Sequence, residues 1–409
     1  MRPLRPILCL VIAAATLPFL IHCGSARPES GGVPTVAASD AGPAEPTSLA
    51  DAGFATDLSI VEEADSPCVK STAESETIYD PDKSPIGYAN LGRIGDRLFA
   101  RGTNDEGFVL FDQNGDNASH HPFSFHLQAE FVPQNDGLVG VSFDDSAEGR
   151  VVAQRFTSNG TAHGAAATLG TGRAYSIAVG SANDAVLGVW STGSAVKARA
   201  IDATWATSPT MTLESDSPHD GFHASVVGSV AGDGSDFLVL WSLRRAALAE
   251  WRVYAQLTNH NGPVGLPRKL FGATHPVTLI KGVTVADGYA ALFDFDGAPL
   301  VVGLDKLGRL ASSAHRFSGA KHRFGSAFGI ASHEGQLAIT ALRTDASDAF
   351  RRLDRAGTAI GPWVCLSDPD TSITHQSTLD CGDDGCSILY TGEGGSVRFV
   401  RTDGAGMAR

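Results

Sequence analysis

Histidine recurs in this 409-residue chain at a nearly fixed interval: His223, His275, His322 and His375 stand 52, 47 and 53 residues apart. Imidazole titrates closest to neutrality and binds metals through a neutral ring nitrogen, so copies brought to one axis could hold an anion, a metal ion or a carboxylate. Descent of one partly exposed strand position through a repeated unit gives the same spacing without any site, and that is the expectation. A tighter group, His120, His121 and His126, is interleaved with Pro122, Phe123 and Phe125 and reads as an exposed connection between units. Asp112-Gln113-Asn114-Gly115-Asp116-Asn117 spaces oxygen donors as a calcium loop does, but its twelfth position is Phe123 where a bidentate Glu belongs, so a hairpin turn is expected. Asp294, Asp296 and Asp305 are the acids that a hydrolase or lyase of extracellular polysaccharide would use beside channel histidines. That is the alternative reading. The GxSxG, HExxH, P-loop and GxGxxG patterns are all absent from the sequence, and with them the strand-turn-helix and helical scaffolds they require. No catalytic residue, cofactor or metal ligand is therefore assigned.

Six cysteines are present, of which Cys68, Cys365, Cys381 and Cys386 fall in the main body of the chain. An even number in an exported domain suggests two disulfides, with three possible connectivities. Cys381 and Cys386 flank the turn-prone Gly382-Asp383-Asp384-Gly385, so a hairpin-closing bridge needs little backbone movement; Cys68 is then left to meet Cys365.

The elements that must position these residues are strands. Gly234 to Gly272 shows the unit best: the apolar run Phe237–Trp241, the alternating Arg252–Leu257, an Asn261-Gly262 turn and the short Arg268–Phe271, preceded by His223–Gly228. Its apolar run has counterparts at 97–100, 138–141, 186–190, 289–293, 337–340 and 387–390, seven in all. The turn glycines Gly115, Gly160, Gly262, Gly308, Gly357 and Gly404 keep step at about 45 to 50 residues, with a double interval where the copy at 197–204 has no glycine. Seven four-stranded antiparallel units that close on themselves make a single all-β propeller over residues 68–409. The last unit stops short of its outermost strand, which the stretch around Glu76–Tyr79 could supply. Trp190 and Trp241 end equivalent apolar runs and read as packing between units, and Trp251 reads as architecture with them. The insert Arg244 to Glu250 has no counterpart in the other copies, which makes Arg244, Arg245 and Glu250 a candidate binding loop.

The N-terminal part is of another kind. Arg2 and Arg5 precede an apolar stretch to Ile21 that is short for a membrane span, as in a signal peptide of residues 1–22. Leu20-Ile21-His22-Cys23 resembles the lipobox of bacterial lipoproteins, which implies lipid attachment at Cys23; His22 departs from the small residue usual there. Gly24-Ser25, with no Asp after the cysteine, is similar to the pattern of lipoproteins sent to the outer membrane. Plain secretion is the alternative. Residues 23–67 are rich in Ala, Pro, Gly and acids, too apolar-poor to offset ordering entropy, and are expected to form a disordered tether.

The charge, 31 basic against 45 acidic residues, argues against a nucleic-acid partner, since binding there rests on phosphate neutralisation. The unit FLVLWS, RVYAQL, NG resembles the degenerate blade repeats of exported bacterial propellers, many of them lipoproteins. That resemblance implies a monomeric, non-enzymatic envelope scaffold that binds a protein or glycan and touches the membrane only through its lipid.

Overall fold

The computed structural model describes residues 58–71, 76–79 and, apart from breaks in connections, 88–402. Among the described residues every regular element is a strand, grouped in seven sheets that follow one another along the chain. The innermost strands are Tyr88–Ile94, Ala129–Gln134, Ile177–Ala182, His219–Gly228, Val277–Val285, Gly329–His333 and Ser377–Gly382. Each touches the next, and the seventh touches the first. The protein is a seven-bladed β-propeller.

The apolar runs that count the blades turn out to be the second strands, such as Ala185–Ser191 and Phe237–Arg245, with the innermost strand just upstream of each. Seven clusters of buried side chains hold the ring together, each spanning two neighbouring blades. Trp190 lies against Val139, Val141 and Leu169 of the blade before it; Trp241 packs in the cluster of Leu187 and Val189. Both tryptophans are fully buried, as the sequence suggests. Flat sheets stacked face to face bury both sides of a strand, which explains one departure. Glu250–Asn259, alternating in sequence, is buried along nearly its whole length rather than half-exposed. Each large aliphatic or aromatic side chain so enclosed contributes about 1.5–3 kcal/mol.

The turns between third and fourth strands repeat one design. In four blades the first residue of the turn is Asp112, Asp202, Asp305 or Asp354, whose carboxylate accepts backbone N–H bonds from residues two and four further on. The fourth position takes a positive φ, at Gly115, Gly308 and Gly357, and at Gly160 of blade two, whose turn starts at Thr157. The calcium-like stretch at Asp112 is thus a turn, and Asn117 Nδ2 completes it by donating to the same carboxylate at 3.0 Å. In the third blade Trp205 holds this position with φ 69°. Blade four differs again. Its loop is His260-Asn261, and the Asn259 side chain accepts from the N–H groups of Asn261 and Gly262. Only Gly262 of the expected Asn261-Gly262 pair has positive φ, at 156°.

Ring closure uses the upstream segment. Glu76–Tyr79 pairs antiparallel with Val397–Thr402 and completes the seventh blade, where the sequence had left an outer strand missing. Two further strands lie ahead of it on the rim. Ile60–Glu62 pairs parallel with Ala314–Arg316 at the edge of blade five, and Val69–Lys70 with Val364–Cys365 at the edge of blade six. Residues 58–67, placed in the tether by composition, therefore belong to the body. Their acids explain why: Glu62 pairs with Arg316 at 3.1 Å, Glu63 with His315 at 2.7 Å and Asp65 with Arg343 at 3.0 Å, while the carbonyls of Ala64 and Ser66 accept from Arg351 and Arg343. Two disulfides, Cys68–Cys365 and Cys381–Cys386, have the expected connectivity, and the first fixes this belt to blade six. Cys23 and the rest of the signal and tether segments up to residue 57 lie outside the described residues.

Candidate functional site

Antiparallel order fixes what each end of the ring carries. The hairpins between first and second strands, with the turns between third and fourth, form one face; the hairpins between second and third strands, with the connections between blades, form the other.

Every first-to-second hairpin carries an acid: Asp96, Asp136, Asp184, Asp236, Asp287, Glu334 and Asp383. All but Asp236 are exposed. The ring thus has an acidic rim around one mouth of its axis. His333, Glu334 and Asp383 bring three donor groups within 4.8 Å of one another there, with His333 Nε2 3.3 Å from Asp383 Oδ1.

The innermost strands carry charge into the axis itself. Arg93 of blade one pairs with Asp380 of blade seven at 3.5 Å, near the acidic rim. Arg101, buried at the far end of blade one's second strand, reaches Glu130 at the start of blade two's inner strand at 3.4 Å. At the level of Glu130, each in the fifth pair from its hairpin, is Lys281 of blade five, next to a bulge at Ile280 that breaks the strand's alternation. Its side chain is half-buried, and desolvation pulls its ammonium below the usual lysine range, opposed by the charges of Asp380 and Glu130. Burial in turn pushes the Asp380 carboxyl up, against the pull of Lys281, of Arg93 and of His333. Four blades therefore converge on one charged channel. Each of its two carboxylates is matched to an arginine, and no carboxylate pair is formed among the described residues.

The described members of the histidine series, His223 and His275, do not line this channel. His223 is on an inner strand, but it turns toward blade four's own hairpin and stacks on Trp251 at 6.2 Å; burial holds its imidazole below the ordinary value. His275 is exposed in the connection ahead of blade five. His322, His375 and His126 lie outside the described residues. His120 and His121 are not in a loop: they sit on the outermost strand of blade one, where His121 stacks on Phe108. Asp305 caps a turn and pairs with Arg309, Asp294 accepts from the N–H of Gly297, and Asp296 is a positive-φ turn residue near Arg316. None of the three acids enters the channel. The residues that do, Lys281, Asp380, Arg93 and Glu130, are single charges in otherwise apolar or mixed strands, and only their shared place on inner strands marks them.

The insert of blade four continues its second and third strands, with the inner strand paired beside Arg244 and Arg245 and the outer strand beside Trp251. Arg244 pairs in the ladder with Trp251 and Arg245 with Glu250, so the hairpin lies on the face opposite the acidic rim. Arg244 meets Asp220 at 2.9 Å, Arg245 meets Glu214 at 3.2 Å, and Glu250 meets both Arg252 at 2.9 Å and Lys269 at 3.4 Å. Four cations stand here against three acids. Trp251 is half-buried over Gly221, so it belongs to this surface and not to the core that Trp241 occupies.

No family model matches the chain, and no curated protein does. Solved structures do match. A chain from a structural and mechanistic study of two prolyl endopeptidases is 13% identical with a TM-score of 0.50, over 79% of this chain and 49% of that one. The Dos1 propeller is 10% identical with a TM-score of 0.50, over 81% and 83%. Hydrazine synthase from Kuenenia stuttgartiensis is 11% identical with a TM-score of 0.48. The chain spans about half the length of the prolyl endopeptidase. At such identities the likeness is one of fold, a propeller.

Proposed function

We propose that this is an exported, lipid-anchored envelope protein whose propeller binds a protein or glycan partner and catalyses no reaction. The observation that carries the reading is the long hairpin of blade four, which places Arg244, Arg245, Glu250 and the half-buried Trp251 on the face opposite the acidic rim. Aromatic and arginine side chains on a rigid sheet are the usual anchors of a binding surface. The two disulfides support an oxidising compartment. Attachment through Cys23 and delivery to the outer membrane rest on the lipobox-like residues alone.

Two experiments test it. The isolated domain, immobilised and screened on a glycan array and against envelope extracts, should retain a defined partner, and an R244A/R245A variant should lose at least tenfold in affinity for it. Equal retention by the variant removes the hairpin from the function. Separately, Cys23→Ala should move the protein from the membrane to the soluble fraction, and unchanged sedimentation would remove the anchor.

A further inference from the structure

We infer that the outer edge of blades five and six is a docking surface for an extended acidic segment, a place the chain's own belt fills while the Cys68–Cys365 bridge is closed. It shares no residue with the blade-four hairpin.

Charge is the first ground. His315 and Arg316 end the outermost strand of blade five, while Arg343 follows the second strand of blade six and Arg351 lies on its third. His315, Arg343 and Arg351 are buried, and the belt brings acids to this edge: Glu63 to His315, Glu62 to Arg316 and Asp65 to Arg343. Burial pulls the Arg351 guanidinium below its usual value, helped by the charge of Arg343, and the charges of Glu63 and Asp65 oppose that pull. Basic groups this far out of water are costly without a counter-charge. With the belt gone the edge lacks three carboxylates, and an acidic segment from elsewhere returns them.

Backbone is the second. Glu76–Tyr79 completes the four strands of blade seven, but blades five and six each have four strands without the belt. Ile60–Glu62 and Val69–Lys70 are therefore fifth strands. Main-chain groups hold them: Ala314 N–H donates to the Ser59 carbonyl, and the N–H groups of Glu63, Val69 and Ser71 donate to the carbonyls of Arg316, Trp363 and Cys365. Any extended segment can form such bonds, as peptides do when they add to a sheet edge, so the acids decide which segment is kept.

The hold on the belt is the third. Leu58 and Cys68 pack against apolar clusters of the body, but no residue between them does, and Ile60, Val61 and Val69 leave their side chains exposed. Apolar burial gives the belt little grip, so the covalent bridge sets how long it stays. Cys68 and Cys365 are both half-buried. A dithiol reductant opens the bridge by exchange: its first thiolate attacks one sulfur and its second resolves the mixed disulfide. Two electrons and two protons pass to Cys68 and Cys365 as the reductant closes its own disulfide.

The test uses the full chain and a fluorescent peptide of the belt's own sequence, residues 58–70 with Cys68→Ser. The protein carries C68S/C365S, to open the bridge, and E62K/E63K/D65K, to drive its own belt off the edge. Anisotropy at low salt should show saturable binding of the acidic peptide. The bridged wild type, and a peptide with E62K/E63K/D65K, should each bind at least tenfold more weakly. Because that variant can misfold, the wild type gives a second readout in hydrogen exchange: a dithiol should speed exchange of the Ala314 amide at least tenfold and leave that of Val189, inside blade three, unchanged. No peptide binding by a variant that keeps Val189 protected, equal binding of the lysine peptide, or an Ala314 amide unmoved by the dithiol would each overturn the inference. So would dimers of C68S/C365S in light scattering, which would make a second copy's belt the occupant. The R244A/R245A assay is independent of these, so loss of this docking surface leaves the hairpin reading standing, and the converse holds.

Discussion

Trp205 is the residue whose backbone most needs explaining. It occupies, at φ 69°, the position that glycine holds in four other blades, and a bulky residue there costs roughly 1–3 kcal/mol. The side chain offsets that cost. The Arg155 guanidinium of the preceding blade sits 4.4 Å from the ring centroid, and the indole N–H donates to the Ala165 carbonyl at 3.0 Å. Trp205→Gly should therefore leave stability within about 1 kcal/mol of the parent in urea unfolding, relief of strain balancing the lost contacts. Arg155→Ala should destabilise by about 1 kcal/mol, and a neutral result there would dissociate the turn from its neighbour. The missing glycine was legible in the sequence as a gap in the period; its replacement by a cation-supported tryptophan was not, because nothing local relates Arg155 to a residue 50 positions on.

Titration belongs to this scale too. Burial holds His121 and His223 below the ordinary histidine value. Their folded forms resist protonation, so stability is full above pH ~6.5 and declines as pH falls below it. For Asp202 the hydrogen bonds from Thr204 and Ala206 lower the carboxyl, and for Asp112 and Asp305 the turn's N–H bonds outweigh an upward push from burial. Their share of stability is present above pH ~4 and lost as pH falls through the folded values. Denaturant midpoints followed by fluorescence should thus drop in two stages, and Asp305→Asn should flatten the lower one.

At the scale of elements, second strands were the most legible part of the fold, since a run such as Phe237–Trp241 is apolar on both faces and has only one place to go. The belt was the least. Its composition is that of a disordered linker, and what orders residues 58–67 is a set of partners, His315, Arg316, Arg343 and Arg351, about 250 or more positions downstream. The channel charges were illegible for a related reason: Lys281 and Asp380 are 99 residues apart in sequence and feel each other's charge only because seven inner strands share an axis. Cys68 and Cys365 were legible as a pair, but not as the clamp of a belt. Cys68→Ser with Cys365→Ser should lower stability by up to about 5 kcal/mol in the chain-entropy account, the bridged residues being 297 apart. Limited proteolysis of the double variant should cut first between Glu62 and Glu76 while the blades remain intact. Simultaneous loss of belt and blades would mean that the belt is integral to the ring.

For the whole molecule, closure is the governing event. Glu76–Tyr79 pairs with the third strand of blade seven, so that blade is built from both ends of the body. Deleting residues 76–79 leaves the edge of Val397–Thr402 unpaired and available to another chain. Light scattering should show the deletion associating where the parent is monodisperse, with a lower thermal midpoint; a monodisperse variant of unchanged midpoint would show that the ring closes without its latch. The belt bears on this closure mechanically. A pull delivered ahead of Leu58 first loads the ladder between Ile60–Glu62 and blade five, in shear when directed along the strand and bond by bond when directed across it. Rupture can advance only to Cys68, where the disulfide passes the force into blade six. The latch at Glu76–Tyr79 lies beyond that bond, so tension from the N-terminal side is taken up by a covalent link before it can reach the noncovalent seam on which the ring depends.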